Sequence, residues 1–199
     1  LEKFDLEYIN LEALMFQTGY LTIKDMYIDE DGEEMYMLDY PNKEVRKSFN
    51  SDILFYITGE YQKDITTIIQ KALKNQDLNE FKKQLEIFFD SISYNILTNE
   101  NVYQAAIYGL IYATGYHITI EDNTSKGRID LTVIVNKKIV YILEFKVIQN
   151  QQEKGKALTQ IKQKEYFKKY LNYDKIYIVG IEFNKKDKKI LNFEYEILK

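Results

Sequence analysis

The stretch GRIDLTVIVNKKIVYILEFK, residues 127–146, sets two acids and an amine inside an apolar β-pattern. Asp130, Glu144 and Lys146 stand where a purely structural hairpin would carry Val or Ile. With residues 136–138 as a three-residue loop, Val135 pairs with Ile139, and counting back along an antiparallel ladder sets Asp130 opposite Glu144. Opposed Cβ atoms lie roughly 4.5–5.5 Å apart, and Lys146, two residues beyond Glu144, shares their face. The other face, taken by alternate residues from Leu131 to Phe145, is apolar throughout.

Two carboxylates this close repel, and burying them is costly unless a proton or a cation joins them. A divalent ion with oxygen ligands resolves the conflict. Mg²⁺ commonly takes one or two carboxylates and keeps waters for a substrate phosphate and a nucleophile. Such an ion polarises a phosphoryl oxygen and acidifies a bound water, and Lys146 beside it can stabilise charge in the transition state. That chemistry hydrolyses phosphodiesters. A plain salt bridge from Lys146 to Glu144 or Asp130 at a sheet edge accounts for the same three residues, and spacing alone does not choose between the two.

Composition narrows the choice of ion. Among 199 residues there is no Cys and a single His, His117. Disulfide frameworks and thiolate zinc sites are excluded, which leaves carboxylate and carbonyl oxygen, a donor set suited to Mg²⁺ or Mn²⁺. The 45% hydrophobic content supports a real core. No run approaches the roughly 18 apolar residues of a membrane span, and the start carries no secretory pattern. A cytoplasmic address without membrane contact is the expectation. Leu1 in place of Met points to a piece of something longer. Residues 1–94 hold 10 Lys/Arg against 19 Asp/Glu, and residues 95–199 hold 17 against 12. The second half thus favours an anionic partner, with random surface variation as the plain alternative.

The elements that must position the trio follow from patterning. NLEALMFQTG has helical apolar spacing ended by Gly19; YLTIKDMYID and EMYMLDY alternate like strands about EDG; KEVRKSFNSDILFYI resumes a helix after Pro41. Residues 1–59 therefore read as a small winged-helix-like α+β module, its acidity favouring docking over DNA reading. Residues 60–94 read as two amphipathic helices forming a bridge. From 95 to 199 the order is helix, three strands, helix, two strands. TNENVYQAAIYGLIYATGY is a helix opened by Thr98 or Asn99 and closed by Gly115. HITIED is a strand and NTSKG a loop; QQEKGKALTQIKQKEYFKKYL is one long amphipathic helix; KIYIVGIEF and ILNFEYEIL are strands. This pattern predicts an α/β domain, a mixed sheet flanked by helices on both sides.

GRID, thirteen intervening residues and EFK resemble the PD-(D/E)XK nuclease superfamily, with Ile129 standing where the superfamily's name has Pro. More narrowly, ENVYQAAIYGLIYATGY, GRIDLTVIV, YILEFKV and ALTQIKQKEYFKKY resemble the nuclease-like domain that follows an AAA-ATPase-like region in many bacterial proteins. FQTGYLTI and YPNKEV resemble the stretch that joins the two there, so the resemblance covers nearly the whole chain and is strongest across 99–181. It implies a restriction-endonuclease-like sheet for 95–199, with 1–59 as the C-terminal end of an ATPase-like region whose core lies upstream. It also implies a Mg²⁺- or Mn²⁺-dependent nuclease acting on nucleic acid, DNA before RNA. Asp130 and Glu144 become metal ligands together with the Phe145 carbonyl, and Lys146 the catalytic lysine. Glu100 matches an acid aimed at the same site, and Gln160 a polar helix position that supports it. A non-catalytic module that binds nucleic acid or protein within a larger ATPase protein is the alternative.

Several of these positions have bland readings too. Glu100 suits a helix start through the dipole. Gln160 and Lys164, one helical turn apart, suit solvent. Gly127 serves a turn, and Arg128 either contacts phosphate or flanks the strand. The lysine-rich stretch 154–169 either follows a nucleic-acid backbone or forms a solvated face. His117 reads as structural or exposed, and without a P-loop this chain alone should not hydrolyse ATP.

Overall fold

Residues 11–60, 63–92, 96–97, 99–149 and 154–199 are described by the computed structural model, in two units, Leu1–Phe49 and Asn50–Lys199. In the first unit α1 (Leu11–Gln17) is followed by β1 (Thr22–Ile28) and β2 (Glu34–Asp39), an antiparallel pair. The turn between them is built by Asp29, whose Oδ1 accepts the N–H groups of Asp31 at 3.0 Å and Glu33 at 2.9 Å. Asn42 Oδ1 then caps the helix α2 (Lys43–Thr58) through the Val45 N–H at 2.8 Å. The helix–hairpin–helix order expected for 1–59 is present from residue 11 onward, and residues 1–10 lie outside the described residues.

The second unit continues with α3 (Lys63–Asn75), α4 (Leu78–Ser91), α5 (Glu100–Ala113), β3 (His117–Thr124), β4 (Gly127–Val135) and β5 (Ile139–Ile148). It closes with α6 (Lys156–Gln163), a 3₁₀ turn (Tyr166–Tyr170), β6 (Lys175–Asn184) and β7 (Ile190–Ile197). The sheet runs in the order β3-β4-β5-β6-β7. All neighbours are antiparallel except β5 and β6, which the α6 crossover makes parallel. The mixed sheet expected from sequence is thus mostly antiparallel.

Its two faces are both covered. Leu131, Val133, Tyr141, Leu143 and Phe145 pack under α3, α4 and α5, whose stripes supply Leu73, Phe81, Leu85, Phe88 and Ile107. The stretch expected as a bridge thereby forms part of the body, because amphipathic helices bury their apolar stripe wherever a complementary face exists. Tyr141 adds a hydroxyl bond of 2.6 Å to the Leu73 carbonyl. On the opposite face Val140, Ile142, Ile176 and Ile178 lie under Leu158, Ile161, Tyr166 and Tyr170. Burial on both faces is the reason β5 and β6 read as continuous apolar runs.

The hairpin register agrees with the expected loop, running from Val135↔Ile139 to Leu131↔Leu143, and Asn136 and Lys137 adopt φ of +53° and +57° in the turn. Two elements differ from expectation. β3 extends to Thr124 and β4 starts at Gly127, so the expected loop shrinks to a tight turn. The single helix expected over 151–171 is α6 followed by the 3₁₀ turn, with Glu165 at φ +51° between them and 151–153 outside the described residues. That break lets Tyr166 and Tyr170 join Ile161 in the core. Among the described residues no helix is long and apolar enough to cross a membrane.

Candidate active site

The site begins where the sheet opens. Pairing between β3 and β4 passes from Ile120↔Leu131 to Asp122↔Ile129, and the intervening Glu121 has φ +51°, a left-handed conformation that costs a non-glycine residue about 1 kcal/mol or more. The β4–β5 ladder ends at Leu131↔Leu143, one step short of the Asp130–Glu144 pair. Asp130 fills the gap with its side chain, Oδ2 accepting the Phe145 N–H at 2.8 Å.

Glu144, on β5, is 1% exposed. Its Oε1 accepts from Gln160 Nε2 on α6 and from Lys146 Nζ at 3.3 Å. Its Oε2 is buried without a hydrogen-bond partner among the described residues. From α5, Glu100 reaches across to accept the Val147 N–H at 3.0 Å, and its other oxygen lies 4.0 Å from Lys146 Nζ. Asn99 caps α5 through the Val102 N–H at 3.3 Å, while Thr98 lies outside the described residues. Glu100, Asp130, Glu144, Lys146 and Gln160 thus converge from two helices and two strands. The Phe145 ring is buried in the helical core, and its N–H belongs to Asp130. Arg128 is held by Glu121 at 3.1 Å; His117 and Lys164 are exposed.

Burial raises the Glu144 carboxyl to about 8, the Asp130 charge pushes it the same way, and Lys146 opposes both. Asp130 is also raised by burial, against the Phe145 N–H and Lys146. Burial would lower Lys146, but Glu144, Asp130 and Glu100 outweigh it and raise the amine. Lys146 is therefore a fixed ammonium, a donor of charge and hydrogen bonds. Among the described residues no three His, Asp or Glu side chains form a ready-made metal cage. The fit to a cation rests on the orphaned Glu144 Oε2 beside Asp130 and on donors that are all oxygen, suited to Mg²⁺ or Mn²⁺.

Titration of Glu144 gives a first expected result. Its folded pKa exceeds the unfolded value of about 4.3, so its contribution to stability is complete below that value. The contribution fades as pH rises toward about 8, by up to ~1.4 kcal/mol per pH unit. Melts in EDTA should show Tm falling between pH 5 and 8, and Glu144→Gln should flatten that fall. An equal slope in both proteins would contradict the assignment.

Two residues that sequence reasoning passed over dock α6 on the site. In the parallel ladder Gly180 pairs with Glu144 and Glu182 with Lys146. A Cβ at Gly180 would lie 2.5 Å from the Leu158 backbone nitrogen. Glu182, fully buried, accepts the N–H groups of Gly155 at 2.8 Å and Ala157 at 2.9 Å and the Asn192 amide at 3.0 Å. The first turn of α6 is thereby held against β6, which delivers Gln160 to Glu144. Signals existed for both: a glycine inside a strand marks close backbone approach, and a Glu inside KIYIVGIEF is a charge in a buried strand. Glu182→Ala leaves those donors without an acceptor and should cost roughly 2–5 kcal/mol in urea denaturation, with Glu182→Gln losing less. Tyr108, half-buried on α5 against the Phe145 ring, has its hydroxyl pKa pushed up by burial and by Asp130, Glu121 and Glu144.

The family model of the PD-(D/E)XK nuclease superfamily matches residues 98–193. The chain is 34% identical over 211 aligned residues to an uncharacterized protein in the vnfD 5′ region of Azotobacter chroococcum mcd 1, a match that covers 100% of this chain and 40% of that protein. The chain therefore spans well under half the length of that curated relative. The crystal structure of SSO0001 covers 78% of this chain and 76% of its own at 14% identity and a TM-score of 0.33, a likeness that carries no argument. It is residues 98–193, with all five converging side chains inside them, that are similar to the PD-(D/E)XK nuclease superfamily.

Proposed function

We propose that the chain is a Mg²⁺- or Mn²⁺-dependent nuclease that hydrolyses phosphodiester bonds of nucleic acid, DNA before RNA, with residues 95–199 as the nuclease domain. One observation carries the reading: a buried Glu144 oxygen, without a hydrogen-bond partner among the described residues, lies in the same acidic site as Asp130, an arrangement a divalent cation would complete. Asp130, Glu144 and the Phe145 carbonyl hold the ion, which when bound supplies a Lewis acid for the phosphoryl oxygen and lowers the pKa of water. Gln160 donates to Glu144 Oε1, which would leave Oε2 as the oxygen to hold the ion. Lys146 presents its ammonium to charge developing on the phosphate, and Glu100, anchored on the Val147 N–H, steadies that ammonium.

The test is cleavage of single- and double-stranded DNA and RNA in Mg²⁺ and in Mn²⁺, with Asp130→Asn as control. Cutting by the native chain alone supports the reading, and no cutting by the native chain in either ion defeats it. The Lys146–Glu144 contact at 3.3 Å favours a second reading, a non-catalytic module that docks nucleic acid or protein; such a module should bind no Mn²⁺. In the same proposal the winged-helix-like segment 1–59 ends an AAA-ATPase-like region of a longer cytoplasmic protein.

A further inference from the structure

The lysine-rich stretch 154–169 spends much of its charge internally. Lys162 pairs with Glu196, Lys168 with Glu165 and Lys169 with Asp122, while neighbouring Lys126 also pairs with Glu165. The β6–β7 turn, KKDKK over 185–189, is different. Lys189 pairs with Asp90 at 3.0 Å, but among the described residues neither Lys185 nor Lys186 has an acidic partner.

This turn is fixed to the strand that carries the site. Lys185 N–H bonds the Ile148 carbonyl at 3.0 Å, and Asn184 Oδ1 accepts the N–H groups of Lys186 at 2.7 Å and Asp187 at 3.1 Å. A groove of about 460 Å³ runs from Asn99, Glu100 and Val147 to Lys185 and Lys188. Glu100, which lines the groove, is also the acid 4.0 Å from Lys146 Nζ, so the groove adjoins the site. Since Glu182 pairs with Lys146, Lys185 lies three residues further along, roughly 10 Å at ~3.3 Å per residue. A nucleic-acid strand advances about 3.4 Å per nucleotide, so that distance spans about three nucleotides.

We propose that this groove seats the nucleic-acid backbone beside the cleaved bond, with the Lys185 ammonium group on a phosphate about three nucleotides away. The inference rests on the nuclease reading. Its test uses the full chain carrying Asp130→Asn, titrated with a fluorescent duplex and with the corresponding single strand at several KCl concentrations. Adding Lys185→Gln should lower the slope of log K against log salt by about 0.9 on duplex, the amount expected for one lost phosphate contact. Adding Lys162→Gln and Lys168→Gln instead, lysines already paired with acids, should leave the slope unchanged. If the Lys185→Gln variant keeps the parent slope, the groove proposal falls and the nuclease reading stands. If the parent binds too weakly to titrate while the native chain cuts, KM decides, and an unchanged KM for Lys185→Gln made in the native chain, with Asp130 in place, overturns the groove. No binding by the parent together with no cutting by the native chain removes both.

Discussion

Asp130→Asn is expected to slow cleavage by roughly three orders of magnitude or more while leaving the fold intact. The loss follows from charge, since a bound divalent ion supplies several kcal/mol of transition-state stabilisation and about 4 kcal/mol corresponds to a thousandfold. Intact folding follows from the bond it makes. Asp130 accepts the Phe145 N–H at 2.8 Å, and an amide oxygen accepts it too. Removing a carboxylate whose pKa burial already raises relieves repulsion with Glu144. Lys146→Met should lose activity on a similar scale yet keep Mn²⁺ binding, which separates the ligand role from the ammonium role. Single-turnover cleavage with parallel thermal melts checks both. Wild-type rates in a folded Asp130→Asn protein would contradict the account.

Gly180→Ala should be the most damaging substitution outside the acids and lysine. The added methyl would stand 2.5 Å from the Leu158 nitrogen and 3.0 Å from its Cα, and these are helix backbone atoms that cannot rotate away. Glu182, bonded to Gly155 and Ala157, holds the same helix turn from below. Either α6 lifts or β6 bends, and Gln160 leaves Glu144 in both cases. Overpacking of this kind costs roughly 3 kcal/mol, or a fall in Tm of about 6–12 °C for a domain of this size. Mn²⁺ affinity should drop with it. A variant with native Tm and native Mn²⁺ affinity would show that α6 does not position the site.

The acids and the lysine were legible because they interrupt a period-two apolar pattern, and residues 136–138 set a register that the ladder keeps from Val135↔Ile139 to Leu131↔Leu143. Patterning also marked α5 with Thr98 or Asn99 as its cap, and Asn99 takes that place. The reach of Asp130 to the Phe145 N–H was not legible, since it depends on where the ladder ends and on Glu121 at φ +51° in a neighbouring strand. The break after α6 did leave a trace: Ile161 and Tyr166 are five residues apart and both buried, a spacing that one α-helical face does not provide. The stripes of α3 and α4 showed that those helices bury a face, but the partner surface is non-local. Gln160 had only its resemblance to recommend it, because its contact with Glu144 joins a helix to a strand through the fold of β6.

Calorimetric titration of Mn²⁺ into the native chain and into Asp130→Asn at pH 8 tests the central claim most directly. One ion should bind the native chain, with proton release visible as a buffer-dependent enthalpy because Glu144 gives up its proton. Asp130→Asn should weaken that affinity at least about tenfold. No Mn²⁺ binding by the native chain would contradict the account and leave Asp130, Glu144 and Lys146 as a buried salt bridge.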